Sequence, residues 1–442
     1  MTTVLCITLI YLAAVISIGI YSFFKVEKTS DYYISGKRGS WLQISGSLFA
    51  TIMGGSAILG TIEMSQQTGW PAIWFLLSAA IGLFVLAFLS KRINLLGHYT
   101  LPELLLLFYG KKAETLAGIL IPIAWTGIVA AQIIAGAKIL TSLQLVSYHQ
   151  GALICGLTFI FYTVAGGQLS ILKTDFMQAL IILGGISLLF FLRLKNGTPV
   201  QMDNFTFFNE KFTPPDLFFL LLTYSVTFVV GPDIYTRIFC ARNEKVARNS
   251  VLTVAFLAAL TAFILTWLGI ASRSDANVAS GFILPGASFL PPWALGILVA
   301  ALLSAVMSSA DTTLLTSSTI LSELVTGDLD KPKSLKITRR FIVVIGMASL
   351  VIAMKITSIL NTLLISLSFF SGAFIFPIIA GLAHWKVNKD NALAAIILGG
   401  ILALVGKIVN EATSGNHGYW LIAAAFIVNA ILLLYRRKKK IS

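Results

Sequence analysis

Thirteen apolar stretches, most of them roughly 20 residues long, follow one another along the chain with short polar breaks between them. That length matches the ~30 Å hydrocarbon core of a bilayer at 1.5 Å per helical residue. The pattern predicts membrane-spanning helices over Thr2–Phe24, Leu42–Met64, Trp70–Leu89, Ala113–Leu143, His149–Ala165, Leu169–Leu192 and Leu217–Cys240. It continues with Asn249–Ala271, Pro292–Leu324, Thr338–Ala353, Ser358–Trp385, Ala392–Val409 and Tyr419–Tyr435. The first stretch lacks a basic leader and outruns a signal-peptide core, so it is expected to be retained as a span.

The polar breaks set the orientation. With the tail Arg436, Arg437, Lys438, Lys439, Lys440 on the cytoplasmic side, 25 lysines and arginines fall in or beside inside loops and 6 outside. This asymmetry follows the positive-inside rule and predicts an outside N-terminus in a multi-pass protein of the plasma membrane. Between the breaks no soluble domain is expected. Thr100-Leu-Pro-Glu103 has the form of a capping box that opens a short interfacial helix on the cytoplasmic side.

Composition agrees. Of the 442 residues 57% are hydrophobic and 11% charged, with mean hydropathy +0.89. A soluble domain is typically about a quarter charged. The net charge of +14 is spread in short clusters between spans, not on a basic face with interleaved aromatics, so no nucleic-acid partner is expected. Cys6, Cys155 and Cys240 lie in separate segments without paired spacing. The four histidines (His98, His149, His384, His417) sit near span ends or in loops. An embedded enzyme would want clustered acid, base or metal-ligand spacing, so no enzymatic activity is expected.

Two spans are interrupted. The second holds Gly46 and the pair Gly54-Gly55 at mid-depth, and the seventh holds Gly231-Pro232. Glycine and proline often only let membrane helices pack closely. The two interruptions lie five spans apart, however, and inverted-repeat transporters bind solute and ion at helices broken in corresponding positions. Unwound backbone frees carbonyl oxygens for a cation, and it is tolerated only where it lines a cavity or is buried in protein. Helices 2–6 and 7–11 are then the two repeats.

The ninth span carries a hydroxyl stripe. Ala305, Ser308, Ser309, Thr312 and Thr316 are spaced i, i+3, i+4, i+7, i+11 and share one helix face. Neutral oxygens suit an alkali cation that must bind and leave; a lone membrane hydroxyl more often bonds the carbonyl one turn back. Asp311 in that span and Asp175 in the sixth are the carboxylates expected inside the membrane region, where they are functional candidates by default. Asp175, near the start of its helix, has helix-dipole complementation as its alternative role. Asp233 and Arg237, four apart, are expected to pair with one another. Glu63 is expected to be exposed, and Lys138 to snorkel outward.

With these residues in view, the chain resembles the sodium:solute symporter family, which includes sodium/proline, sodium/pantothenate, sodium/sialic acid and sodium/glucose cotransporters. The resemblance runs over essentially the whole chain. It rests on Asp31-Tyr-Tyr-Ile-Ser-Gly-Lys37, Ala50-Thr-Ile-Met53-Gly-Gly-Ser-Ala-Ile-Leu-Gly60 and Thr100-Leu-Pro-Glu103. It rests also on Thr174-Asp175 with Gln178, on Gly231-Pro-Asp-Ile-Tyr-Thr-Arg237 followed by Ala241-Arg, and on Met307-Ser-Ser-Ala-Asp-Thr-Thr-Leu-Leu315.

The resemblance implies an all-α, LeuT-type five-plus-five inverted repeat with discontinuous helices 2 and 7. A leading helix and loop would occupy 1–40, the repeats 41–196 and 214–385, and two trailing helices with the basic tail 386–442. It implies a sodium-coupled symporter importing a small polar organic solute by alternating access, with sodium bound by the carbonyls of Ala50, Met53 and Ala305 and the hydroxyls of Ser308 and Ser309. A second sodium would involve Ser308, Asp311, Thr312 and Asp175. Substrate contacts would come from residues near the breaks: Ser56, Thr223, Tyr224, Thr227 and Phe228, with Gln132 of the fourth span. Proline transporters carry an aspartate where this chain has Ile52, which argues against proline. A proton-coupled carrier of the same fold and a transporter-like solute sensor are the alternatives. The sensor reading expects an added signalling domain, where this chain ends in the bare tail Arg436–Ser442. No obligate protein partner is implied.

Overall fold

The computed structural model describes residues 2–23, 29–96, 99–144, 146–196, 204–273, 290–413 and 417–434. The basic tail from Arg436, the inside-loop residues Lys25 and Lys28, and His98 lie outside these residues. The described chain is almost entirely helical: α1 (Thr2–Phe23), α2 (Thr29–Ile34), α3 (Trp41–Ile52), α4 (Gly55–Thr68), α5 (Ile73–Leu96), α6 (Leu101–Tyr109), α7 (Lys111–Ser142), α8 (Tyr148–Ala165) and α9 (Gln168–Asn196). After a loop come α10 (Pro214–Leu220), a π-helical turn (Leu221–Ser225), α11 (Val226–Val230), α12 (Pro232–Cys240) and α13 (Glu244–Ser272). Last are α14 (Pro292–Thr326), α15 (Pro332–Lys355), α16 (Ile359–Leu382), α17 (Lys389–Ala412) and α18 (His417–Leu434).

Local chemistry starts and stops these helices. Ser40 caps α3 in a reciprocal box with Gln43, Ser147 caps α8 with Gln150, and Thr100 caps α6 with Glu103, as its spacing predicts. Proline occupies the first turns of α10, α12, α14 and α15, where its missing N–H is no loss. The long α14 stops at Gly327, whose φ of +68° closes the helix in the left-handed conformation.

Among the described residues ten helices are long and apolar enough to cross a membrane, and the bent pair α3–α4 makes an eleventh. The predicted first span is helical over Thr2–Phe23 and apolar along its length. The predicted fifth span, α8, is helical but opens on the polar turn Tyr148-His149-Gln150. Phe161, Phe256 and Trp420 are among many large apolar side chains exposed on the outside of the bundle, as lipid contact requires. The bundle is built around α14, the most buried of the spans, which packs against α1, α3, α4, α7, α8, α9 and α15. Helices α17 and α18 pair at the edge beside α16.

The predicted second span is two helices. Its backbone ladder ends with the Met53 amide donating to Phe49 (2.8 Å) and resumes with Ala57 and Ile58 donating to Gly54 (3.0 Å each). The pieces meet at 48°. The predicted seventh span departs from an α-helix twice. It widens into the π turn at Leu221–Ser225, then breaks at Gly231, whose ψ of 129° is extended. Pro232 enforces that break, since it offers no amide to α11 and disfavours a helical residue before it.

A cavity and a cation-poised cluster at the broken helices

Both breaks border one cavity of about 60 Å³, which α7, α14 and α16 also line. Of the substrate residues expected from sequence, Ser56, Gln132, Tyr224, Thr227 and Phe228 line it. Thr223 is not a lining residue: its hydroxyl donates to the Phe219 carbonyl (2.7 Å) inside the π turn.

Gln132 holds the first break in place. Its Nε2 donates to Ser56 Oγ (2.7 Å) and its Oε1 accepts from the Ser56 amide (3.2 Å), satisfying an orphan donor at the start of α4. Tyr224 stacks on Phe75 at 4.3 Å and meets Phe228 edge-on at 5.0 Å. Interhelical aromatic packing and cavity lining therefore coexist on the same two side chains.

Sequence reasoning missed several further lining residues, among them Trp125, Thr51 and Asp233. The indole Nε1 of Trp125 and Oγ1 of Thr51 are buried with no hydrogen-bond partner among the described residues. For Asp233 the signal was present, since it follows Gly231-Pro232 directly. The expected pairing with Arg237 concealed it.

That pairing does not form. Arg237 turns away and reaches only the backbone carbonyl of Asp233, at 3.5 Å. Its guanidinium instead meets Asp175 Oδ2 at 3.2 Å, Ser47 Oγ at 3.1 Å and the Thr312 hydroxyl. Asp175 lies two turns inside α9, beyond the first turn where a helix dipole acts, and is fully buried. It also accepts from Ser47 Oγ (2.5 Å) and Ser308 Oγ (2.6 Å). The nearby Asp311 has one oxygen 3.5 Å from Thr163 Oγ1, while its Oδ2 is buried without a partner among the described residues. Two more expectations change. Glu63 and Lys138 are neither exposed nor snorkelling but pair with each other at 3.6 Å, both largely buried.

Between the α3–α4 break and α14 the five residues expected at the sodium site are all buried. Because the α3 ladder stops at Met53, the carbonyls of Ala50 and Met53 face no amide of a continuing helix. The Thr51 carbonyl accepts from Ser309 Oγ at 2.7 Å, which stitches the break to α14. A side chain at Gly54 would collide with Ser309 Oγ, so only glycine lets the two backbones approach this closely. Among the described residues no cluster of three His, Cys, Asp or Glu could hold a metal ion. The oxygens gathered here are neutral, the kind that suits an alkali cation.

The family model for the sodium:solute symporters matches residues 32–399, most of the chain, with both breaks and every cavity residue inside the match. The chain belongs to the sodium:solute symporter family. The symporter is 25% identical to the sodium/pantothenate symporter of Escherichia coli K12, over 92% of this chain and 91% of that one. It is also 25% identical to sodium/proline symporter 2 of Staphylococcus saprophyticus, over 97% and 91%. In fold it is similar to a sodium-coupled sialic acid symporter solved substrate-bound and outward-open, with a TM-score of 0.78 at 17% identity and 99% of both chains covered. A nucleobase-cation-symport-1 family transporter, solved closed with bromovinylhydantoin bound, superposes with a TM-score of 0.61 at 13% identity, covering 90% of this chain and 92% of that one. The symporter is thus a multi-span membrane transporter, not an enzyme, and it imports a small solute coupled to sodium.

Proposed function

We propose that the symporter works by alternating access around this cavity, with sodium seated between the α3–α4 break and α14. The sodium ligands are the carbonyls of Ala50, Met53 and Ala305 and the hydroxyls of Ser308 and Ser309. The solute meets Ser56, Gln132, Tyr224, Thr227 and Phe228. One observation carries this reading: Ser309 both lines the cavity and bonds the Thr51 carbonyl at the break. Sodium drawn to that hydroxyl and those carbonyls fixes the break, and with it the wall that the solute touches. Each ligand thereby stabilises the conformation the other prefers, which is all that coupling requires.

The two broken helices five spans apart support a LeuT-type inverted repeat, 41–196 and 214–385, within thirteen helices. The leading segment is 1–40 and the trailing one 386–442. The basic-residue asymmetry supports an outside N-terminus and a cytoplasmic C-terminus in the plasma membrane. The test is uptake into proteoliposomes from a solute library with and without an inward sodium gradient. Accumulation that is indifferent to the gradient sinks the coupling.

A second cation at Asp311 is a further reading, and the partnerless Oδ2 favours it. Asp175 is already neutralised by Arg237, so any second sodium or proton falls to Asp311 with Thr312 alongside. Asp311→Asn should then lower the sodium moved per solute or flatten the pH dependence of transport. If neither changes, the carboxyl is structural.

A further inference from the structure

We infer that the solute carries a cationic nitrogen, protonated or quaternary, and that Asp233 is its counter-charge in the cavity. The inference rests on the cavity being the solute site and adds the chemical class of the solute. Asp233 is the second residue of α12, immediately beyond the Gly231 break, and it lines the cavity. It lies at the N-terminal turn of α12, and the Arg237 charge acts on it from four residues on without bonding its carboxylate. Among the described residues it has no ion-pair partner. The cation four residues on, Arg237, is committed to Asp175 at 3.2 Å.

The rest of the lining makes this charge decisive. No lysine, arginine or histidine borders the cavity among the described residues, so Asp233 is its one ionisable group of ordinary acid–base chemistry besides the Tyr224 phenol. A half-buried carboxylate whose nearest cation is bonded elsewhere is incompletely compensated, and a cationic solute supplies the missing charge. A solute whose only charge is a carboxylate would instead bring like charge towards it and find no side-chain cation. The walls point the same way. Trp125, Tyr224 and Phe228 offer aromatic surface, which attracts cationic nitrogen in a desolvated pocket. The partnerless N–H of Trp125 and hydroxyl of Thr51 leave donors for an oxygen elsewhere on the same molecule. The matching class is a compact amine or ammonium bearing an oxygen acceptor.

The test uses the whole purified protein in detergent with saturating sodium, read by thermal stabilisation. One probe set carries cationic nitrogen: glycine betaine, choline and ethanolamine. The other lacks it: pantothenate, N-acetylneuraminate, lactate and glucose. Stabilisation confined to the first set is expected. Asp233→Asn should weaken its binding about tenfold or more, the scale of a lost charge-assisted hydrogen bond. Asp233→Glu should recover part of the loss, and sodium half-saturation without solute should stay unchanged. The inference is overturned if wild type responds to the second set or to neither set. It is equally overturned if Asp233→Asn binds the cationic probes as well as wild type, or if it shifts sodium affinity instead. The wild-type comparison decides even where the variant fails to fold. Thr227→Trp, which fills the cavity, separates the two levels: unaltered binding there removes the solute from the cavity altogether, whereas binding lost there and retained in Asp233→Asn removes only the charge assignment.

Discussion

Arg237 on α12 and Asp175 on α9 form an ion pair at 3.2 Å with neither side chain exposed to solvent. The pair joins helices from the two proposed repeats. Ser47, Ser308 and Thr312 bond to the same two groups, so α3 and α14 are drawn into one network with them. A guanidinium tethered to the chain thus holds the place beside Asp175 that a second sodium was expected to take.

Removing one partner should destabilise the protein strongly while leaving ion counting alone. Arg237→Met leaves Asp175 as a buried charge without a partner, and breaking such a pair costs about 3–5 kcal/mol. A lower melting temperature in detergent is expected, and Asp175→Asn should lower it as well, because it leaves the Arg237 guanidinium buried without a counter-charge. Sodium stoichiometry in Asp175→Asn should match wild type. A variant that moves one fewer sodium would return Asp175 to the ion-binding set.

Ser309→Ala should raise the sodium concentration for half-maximal uptake about tenfold, the equivalent of about 1–2 kcal/mol for one lost oxygen ligand. Ser308→Ala should act in the same direction, with an added loss of stability because its hydroxyl also serves Asp175 at 2.6 Å. Sodium titrations of uptake check both. An unchanged titration in the double variant would remove sodium from these hydroxyls.

Gly54→Ala should be damaging out of proportion to its size. The new methyl would collide with Ser309 Oγ and come within 3.2 Å of Gln132 Nε2, the two groups that hold the break. Either α14 or α7 must move. A loss of sodium-dependent stabilisation is expected even where the protein inserts and folds. Wild-type sodium response in this variant would show that the break tolerates displacement and does not gate the ion.

Topology can be read by cysteine labelling in whole cells. Asn204→Cys lies in the loop after α9 and Lys112→Cys at the start of α7, and both positions are exposed. The first should react with impermeant reagent added outside and the second only after the membrane is breached. The reverse pattern would invert the orientation.

The sequence by itself determined the membrane class, the helical fold and where the chain breaks. Those follow from local facts: apolar runs long enough to cross, caps such as Thr100 with Glu103, and a Gly231-Pro232 step that no α-helix passes smoothly. The family too was legible in short motifs, because each combines a local backbone requirement with side chains at fixed spacing. Some cavity residues could be named, most of them because they adjoin the breaks, and Ser56, Gln132, Tyr224, Thr227 and Phe228 do line it. The tertiary structure decided which charges meet. Asp233 and Arg237 satisfy the i, i+4 rule, yet Arg237 crosses to α9, because a fully buried carboxylate with two hydroxyl partners gives the guanidinium better compensation than one at a cavity wall. Glu63 and Lys138 likewise find each other across two helices, 75 residues apart in sequence, at 3.6 Å. Helical spacing specifies neighbours on one helix. Only packing specifies which faces of different helices touch, and in a low-dielectric interior the pairing of charges between those faces sets what the cavity will accept.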